Sequence, residues 1–359
     1  MGSSELVEGA RNLLVNCAGL SGGESLVLFE EDPGLGWYDQ GASDAVADVA
    51  RSMGMTVTRF SVDAPGRNSD RAEKIQNVLQ SHDQAVYFAR LGDEDRFGPT
   101  TTERAPVMSY VTSASALASP FGRFDHHAFL SLKDTVNAVF DAAGEIHVTC
   151  PLGTDLTGSI AELAPDGPED VSVKRFPLCV YKPLSMKGFS GRIALSRHLV
   201  PTGSRPYDPA VARFGGIVFA NVEQGTILGF EGSRDDVDII NSHYNLVADR
   251  FGIDPFVTHS WHSGLHPGCR FDGTADDDPD RWANTIFGNP RILHCHTCGD
   301  YAPGEICWMV IDAAIRVDGR ALWEAGRMNI DYSEELSAEI GRWTGLADLL
   351  REPERAIGL

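Results

Sequence analysis

Basic residues are scarce in this chain of 359 residues, which has 30 Lys and Arg against 51 Asp and Glu and a formal charge of −21. That charge repels a phosphate backbone, so we expect no nucleic-acid partner. No apolar run approaches the roughly 18 residues of a membrane helix. Residues 1–9 also lack the basic and apolar segments of a secretory signal. We therefore expect a cytoplasmic protein without a membrane partner.

Several common motifs are missing as well. The sequence contains no His-Glu-x-x-His helix and no phosphate-binding loop ending in Gly-Lys-Ser/Thr. The turn Glu30-Glu31-Asp32-Pro33-Gly34-Leu35-Gly36 lacks the third glycine of a dinucleotide loop, and its three acidic residues repel a pyrophosphate. These absences argue against zincins, P-loop enzymes and dinucleotide binding at this turn.

The order of apolar patterns predicts two domains. Over residues 1–150, helical periods alternate with short apolar runs, which indicates an α/β domain with an open, mostly parallel sheet. Over residues 151–359, Pro and Gly recur and alternating strands predominate, which indicates a largely antiparallel, barrel-like α+β domain. The predicted strands are 25–29, 56–62, 84–89, 145–150, 192–195, 216–222 and 226–230, and the predicted helices include 132–142, 234–251 and a single C-terminal helix over 333–350.

Five of the eleven histidines fall between His259 and His296. If both surrounding segments are strands, the two-residue period places His262 and His266 on one face and His294 and His296 on one face of another strand. Imidazole is a common metal ligand, and a carboxylate such as Asp312 would complete a two-His, one-carboxylate set. The alternative is that these histidines only hydrogen-bond backbone groups.

The cysteine count is seven, an odd number, and four of them lie in or near the histidine-rich region: Cys269, Cys295, Cys298 and Cys307. In a reducing compartment these are thiols or metal ligands rather than a disulfide framework. A structural zinc site on Cys295-x-x-Cys298 is a further alternative, although no second Cys-x-x-Cys pair is present.

Five short motifs follow one another over residues 148–318: Gly153-Thr154-Asp155-Leu156-Thr157, residues 221–227, Gly264-Leu265-His266-Pro267, Phe287-Gly288-Asn289 and Ile311-Asp312. Their order resembles the superfamily that joins aminopeptidase T-type metallo-aminopeptidases to iron-dependent 2,5-dihydroxypyridine 5,6-dioxygenases. In this resemblance His294 and Tyr301 match an aminopeptidase His and Tyr seven residues apart. Asp312 matches the aspartate of a His-x-Asp motif that both branches share.

Three positions depart from that pattern. Val310 replaces the histidine of His-x-Asp, Ser260 replaces the Glu or His four residues before the Gly-Leu-x-Pro turn, and Leu178 replaces a metal-binding glutamate of the aminopeptidases. A site poor in carboxylates and rich in histidine is closer to the dioxygenase branch than to a two-metal peptidase. A ligand shifted along one strand face to His262 or His266 would compensate for Ser260.

The resemblance implies an enzyme that holds one iron(II) ion and cleaves the ring of a small polar aromatic or heteroaromatic substrate with oxygen. The expected metal ligands are His262, His266, His294 and Asp312, and the expected catalytic residues are Tyr301, His296 and Asp300. A zinc-dependent hydrolase with Asp300, Glu305 or a histidine as base is the first alternative, and a metal-free or non-enzymatic relative is the second. The family also implies a homo-oligomer.

Overall fold

The structure is a computed structural model that describes residues 3–66, 69–94, 96, 104–160, 171–204, 207–300 and 304–359. The chain divides into two compact units, one formed by residues 1–130 and 170–179 and the other by residues 131–169 and 180–359. Each unit contains one sheet.

The helices of the described chain are numbered in sequence order. They are α1 Ser3–Arg11, α2 Gln40–Ser52, α3 Ser69–Gln80, α4 Leu91–Glu94, α5 Ala114–Leu117, α6 Pro120–Arg123, α7 His126–Asp141, α8 Arg234–Phe251, α9 Pro279–Ile286, α10 Glu334–Gly341 and α11 Leu346–Arg351. A π-helical segment, Asn12–Cys17, directly follows α1.

The strands are numbered in the same way. They are β1 Ser25–Glu31, β2 Thr56–Val62, β3 Gln84–Phe88, β4 Val107–Ser109, β5 Ile146–Thr149, β6 Asp155–Gly158, β7 Lys174–Phe176, β8 Leu184–Ser185, β9 Phe189–Pro201, β10 Ala212–Glu223, β11 Thr226–Glu231, β12 Thr258–Ser263, β13 Ile292–Thr297, β14 Ile306–Ile311, β15 Ala314–Val317, β16 Arg320–Glu324 and β17 Arg327–Met328.

The first unit contains a five-stranded parallel sheet with the order β2-β1-β3-β4-β7. Strand β1, which lies between β2 and β3, carries four consecutive fully buried apolar residues, Leu26 to Phe29. This is expected where both faces of a parallel strand are covered. Helix α2 begins where the Asp39 side chain accepts a hydrogen bond from the Ala42 N–H. The predicted open parallel sheet is confirmed. Strands β4 and β7 were not predicted because three residues are too few to show a period.

The second unit contains a twelve-stranded sheet, antiparallel throughout, that curls into a half-barrel. Its main path runs β17-β16-β15-β5-β6-β9-β14-β13-β12-β8, and β10 pairs with β9 and β11. The fold class predicted for the C-terminal part of the chain is therefore confirmed. Helix α8 spans the predicted residues, from its Ser233 cap to Gly252 in the left-handed conformation.

Two predicted elements differ from the structure. The strand predicted at 145–150 for the parallel sheet is β5, which pairs antiparallel with β6 and β15. Its period shows only that it is a strand, because a period of two residues does not distinguish a parallel from an antiparallel partner. The single helix predicted over 333–350 is wrong, since α10 and α11 are separated by Gly345 with a φ of 83°.

The acidic segment from Asp272 to Asp280 contributes to local structure. Asp278 caps α9 by accepting a hydrogen bond from the Arg281 N–H, and the Asp276 carboxylate lies 2.8 Å from Arg197 Nη1. Over the part of the chain that the structure describes, no helix combines the length and the apolarity needed to cross a bilayer.

The two faces of the β12-β13-β14 region differ in chemistry. Trp261, Cys295 and Trp308 lie opposite one another across the three strands, and all three are fully buried. The Trp308 indole N–H donates to the Tyr244 hydroxyl at 2.8 Å, and that hydroxyl lies 2.5 Å from Thr297 Oγ1. Since Thr297 donates to the Ile306 carbonyl, a chain of hydrogen bonds fixes α8 against β13 and β14.

Replacing Tyr244 by Phe is expected to destabilise the protein by about 1–3 kcal/mol, because it leaves the buried Trp308 N–H without its acceptor. Urea unfolding measures the loss. Tyr332→Phe is the matched control, since the Tyr332 hydroxyl reaches its acceptor, the Val317 carbonyl, only at 3.5 Å. Equal unfolding midpoints for Tyr244→Phe and the wild type would contradict this account.

Candidate metal centre

Three histidines meet on one face of the antiparallel pair β12 and β13. The register places His262 directly opposite His294, and Ser260 opposite His296. Residues two apart in a strand point to the same side, so all four of these side chains share a face. The predicted common face for His294 and His296 is thus present.

The imidazole rings of this group lie close together. Their centroids are 5.3 Å apart for His262 and His294, 5.2 Å for His262 and His296, and 5.9 Å for His294 and His296. One potential ligand atom from each ring lies within 4.8 Å of the others. We call His262, His294 and His296 the histidine triad.

The triad is buried, with 5% of His262 and 7% each of His294 and His296 exposed to solvent. Burial lowers the pKa of His294 to about 3, because a charged ring loses its hydration there. His294 is therefore neutral at pH 7, the form in which imidazole binds a metal. Its Nε2 atom is buried and has no hydrogen-bond partner among the described residues.

These atoms fit a metal ion. The Nε2 atoms of His262 and His296 are 3.2 Å apart. Two nitrogens that bind one tetrahedral zinc at about 2.0–2.1 Å are separated by about 3.3 Å. The orphaned Nε2 of His294 is a third donor, and an unpaired buried polar atom is costly unless something binds it. The triad can thus supply three neutral nitrogen ligands to one ion.

A fourth residue, Thr202, directly follows strand β9 and lies beside the triad. The Thr202 hydroxyl lies 3.5 Å from His296 Nδ1, and both residues are buried. A hydrogen bond to the second ring nitrogen orients a metal-binding histidine and selects its tautomer. Thr202 was not predicted, because its proximity arises from the pairing of β9 with β14, which no local pattern indicates.

His266 does not join the triad. Strand β12 ends at Ser263, and His266 lies in the turn that follows, where its Nδ1 accepts a hydrogen bond from the Gly268 N–H. The expectation that His262 and His266 share one strand face is therefore wrong. Gly264, the first residue after the strand, lies so close to the Asn289 backbone that a Cβ at this position would clash with it.

Asp312 does not join the triad either. It directly follows β14 with a φ of 53°, and its carboxylate accepts two hydrogen bonds from Arg291, at 2.6 and 2.8 Å. This bidentate pair uses both oxygens. The register of β13 and β14 places Asp312 beside Arg291. Arg291 precedes His294 by three residues, so Asp312 lies away from the triad.

Of the predicted proton carriers, Asp300 is exposed in the turn after β13, and Tyr301 lies outside the described residues. Glu305, named as a base for the hydrolase alternative, is buried, and its carbonyl accepts hydrogen bonds from the Thr202 N–H and the Tyr207 hydroxyl. His296 belongs to the triad as a potential ligand.

The cysteines are not part of this group. Cys295 alternates with His294 and His296 and so lies on the opposite face with Trp261 and Trp308. All seven cysteines are free thiols. Burial raises the pKa of Cys298 to about 12 and the pKa of Cys295 further still, so both are protonated at pH 7. Within the described ranges, the group of potential metal ligands contains histidine alone.

The fold and site thus define a class: a chain with one unit built on a parallel sheet and a second unit built on a curled antiparallel sheet that carries a buried histidine triad. Among solved structures, the chain is similar to a 2,5-dihydroxypyridine dioxygenase from Pseudomonas putida KT2440, with a TM-score of 0.62 and 12% identity over 94% of this chain and 99% of that one. It also matches AmpT from Thermus thermophilus, with a TM-score of 0.49 and 13% identity over 90% of this chain and 99% of that one.

The first of these likenesses confirms the predicted resemblance at the level of the fold. It extends over nearly the whole chain, including the N-terminal part, where the sequence motifs are faint. No protein-family model and no curated protein matches the sequence.

Replacing His294 by Ala is expected to weaken divalent metal binding by more than about 100-fold, because loss of a direct ligand should exceed the 10–100-fold typical of a second-layer change. Titration with Co²⁺, followed by its visible absorption, measures the affinity, and elemental analysis after dialysis measures retained metal.

His259→Ala is the matched control, because His259 lies on the same strand but is not one of the three histidines whose ligand atoms converge. It is expected to bind Co²⁺ like the wild type. If the His294 variant bound Co²⁺ as tightly as the control while both remained folded by circular dichroism, the triad would not be a metal site.

Proposed function

We propose that this chain is a metal-dependent enzyme whose single metal ion is held by His262, His294 and His296. The observation that carries the proposal is the convergence of three buried imidazoles, one of them with an orphaned Nε2, on a space the size of one ion. A buried His294 Nε2 without a hydrogen-bond partner among the described residues would remain uncompensated unless something binds it.

The triad also suggests which residues of this chain supply the pair of ligands that the family's His-x-Asp motif would provide. The resemblance first places that motif at Val310-Ile311-Asp312, where the histidine is missing and the aspartate pairs with Arg291. The same spacing recurs at His294-Cys295-His296, where both histidines belong to the triad. We infer that His294 and His296, rather than residues 310 and 312, supply the paired ligands in this chain.

For the reaction we propose oxygen-dependent ring cleavage of a small polar aromatic or heteroaromatic compound with iron(II). In support, the solved structure that matches with a TM-score of 0.62 is named as a dioxygenase. When bound, iron(II) supplies Lewis acidity and the electrons for activating dioxygen, and three protein ligands leave coordination positions open.

The residues around the triad favour an aromatic substrate. The Phe287 ring lies 5.8 Å from His294, and the Tyr181 ring lies 6.5 Å from His262. Because an imidazole binds a metal in its uncharged form, three histidine ligands would leave the positive charge of the ion uncompensated, which favours a substrate with an ionised hydroxyl group. Thr202 orients His296, and Tyr301 and Asp300 remain the proposed proton carriers.

A zinc-dependent hydrolase is the second candidate. The observation that favours it is the donor set itself, since three histidines without a carboxylate also form a catalytic zinc site. In that case the ion lowers the pKa of a bound water, and Glu305 or Asp300 is the proposed base.

Metal content and oxygen uptake separate the two candidates. Protein purified without added metal is expected to contain iron, and after anaerobic loading with iron(II) to consume one O₂ per 2,5-dihydroxypyridine or related hydroxylated ring, with loss of the ring absorbance. His294→Ala is expected to abolish uptake, and His259→Ala to retain it. Zinc without iron, together with hydrolysis of amide substrates and no oxygen uptake, would replace the dioxygenase proposal by the hydrolase.

A further inference from the structure

A second cleft in the C-terminal unit has a volume of about 780 Å³ and contains none of the triad residues in its lining. A space of this size accommodates a small organic molecule. Its polar lining includes Arg197, His198, Arg213 and Asp276, and its apolar lining includes Leu152 and Phe214.

An irregularity in the pairing of β9 and β10 forms one wall of this cleft. Arg213 pairs with His198 and Ile217 pairs with Ser196, so that three residues of β10, 214–216, lie opposite one residue of β9. That residue, Arg197, has a φ of 69°, which is unfavourable for a side chain other than glycine. Such strain persists where the surrounding structure imposes it and is frequent at binding sites.

The acidic side chains in the lining already have cationic partners. The Asp276 carboxylate lies 2.8 Å from Arg197 Nη1, and Asp312 is held by Arg291. Arg213 differs, because its guanidinium donates only to the main-chain carbonyl of Asp276, at 2.6 Å. Within the described part of the chain, no carboxylate pairs with Arg213, and its remaining N–H groups are available to a ligand.

His198 adds a second donor. Only 2% of its side chain is exposed, and its Nε2 has no hydrogen-bond partner among the described residues, with Asp276 Oδ1 3.9 Å away. Burial, reinforced by Arg213, lowers the pKa of His198 to about 4, so that the ring is neutral at pH 7 and carries one N–H. The main-chain N–H groups of Gly215 and Gly216 are occupied by the Asp236 carboxylate.

We propose that this cleft is a second binding site, for a small organic carboxylate whose charged end is bound by Arg213 and His198 and whose apolar body packs on Leu152 and Phe214. A guanidinium matches a carboxylate in shape and charge. Arg213 supplies this group, because no carboxylate side chain in the described part of the chain pairs with it. The site does not depend on the proposed metal or on the proposed reaction.

Isothermal titration of the full-length protein with benzoate tests the proposal. We expect one benzoate site with a Kd below about 1 mM, a value typical of small ligands, and no binding of benzamide, which has the same ring without the charge. Arg213→Gln and His198→Phe are each expected to weaken benzoate binding at least about 10-fold, which corresponds to one lost charge-assisted hydrogen bond. Both variants are checked for folding by circular dichroism.

Two controls locate the bound benzoate. Arg192→Gln changes an exposed arginine on the neighbouring strand β9, one that stacks on Phe219 outside the cleft lining, and it is expected to leave the Kd unchanged. His294→Ala is also expected to leave the Kd unchanged, because the triad is not part of the cleft. The proposal is overturned if benzoate does not bind, if binding survives Arg213→Gln, or if it is lost in His294→Ala. If inorganic phosphate bound as tightly as benzoate, the proposal that the cleft recognises an organic carboxylate through its apolar body would be wrong.

Discussion

The antiparallel register between β12 and β13 is the constraint on which the candidate site depends. It places His262 directly opposite His294 and leaves His296 diagonally across, 3.2 Å from His262 between Nε2 atoms. A slip by one residue would turn one strand's histidines to the face that holds Trp261 and Trp308. The packing of those two indoles therefore fixes the register, and with it the triad.

Electrostatics distinguishes the two sites of the C-terminal unit. The protein has a formal charge of −21, yet His294 presents a neutral nitrogen, and in the second cleft Arg213 has no carboxylate partner among the described residues. Burial keeps the triad histidine His294 and the cleft histidine His198 neutral. Local desolvation and hydrogen bonding, rather than net charge, thus decide which ligands these sites suit.

The fold of this chain is similar to that of the dioxygenase structure, but two ligands expected from the family motifs are missing from the sequence. The fold is shared over nearly all of both chains at 12% identity, whereas Ser260 and Val310 lack the ligands that the family motifs imply. Ser260 nevertheless lies opposite His296 on the face of the triad. A shared fold supports the location of chemistry more strongly than its type.

Sequence patterns by themselves predicted most of the helices and strands, because burial of apolar side chains imposes a period of two or 3.6 residues. They also predicted a parallel sheet in the N-terminal part of the chain and an antiparallel sheet in the C-terminal part. On the assumption that the histidine-rich segments are strands, they also predicted that His294 and His296 share a face, as the structure has them. Only the tertiary structure decided that His262, and not His266 or Asp312, completes the group, since a turn at Gly264 and an ion pair with Arg291 remove those two. Thr202, the bulge at Arg197 and the second cleft were likewise invisible in the sequence, because they arise from pairings between strands far apart along the chain.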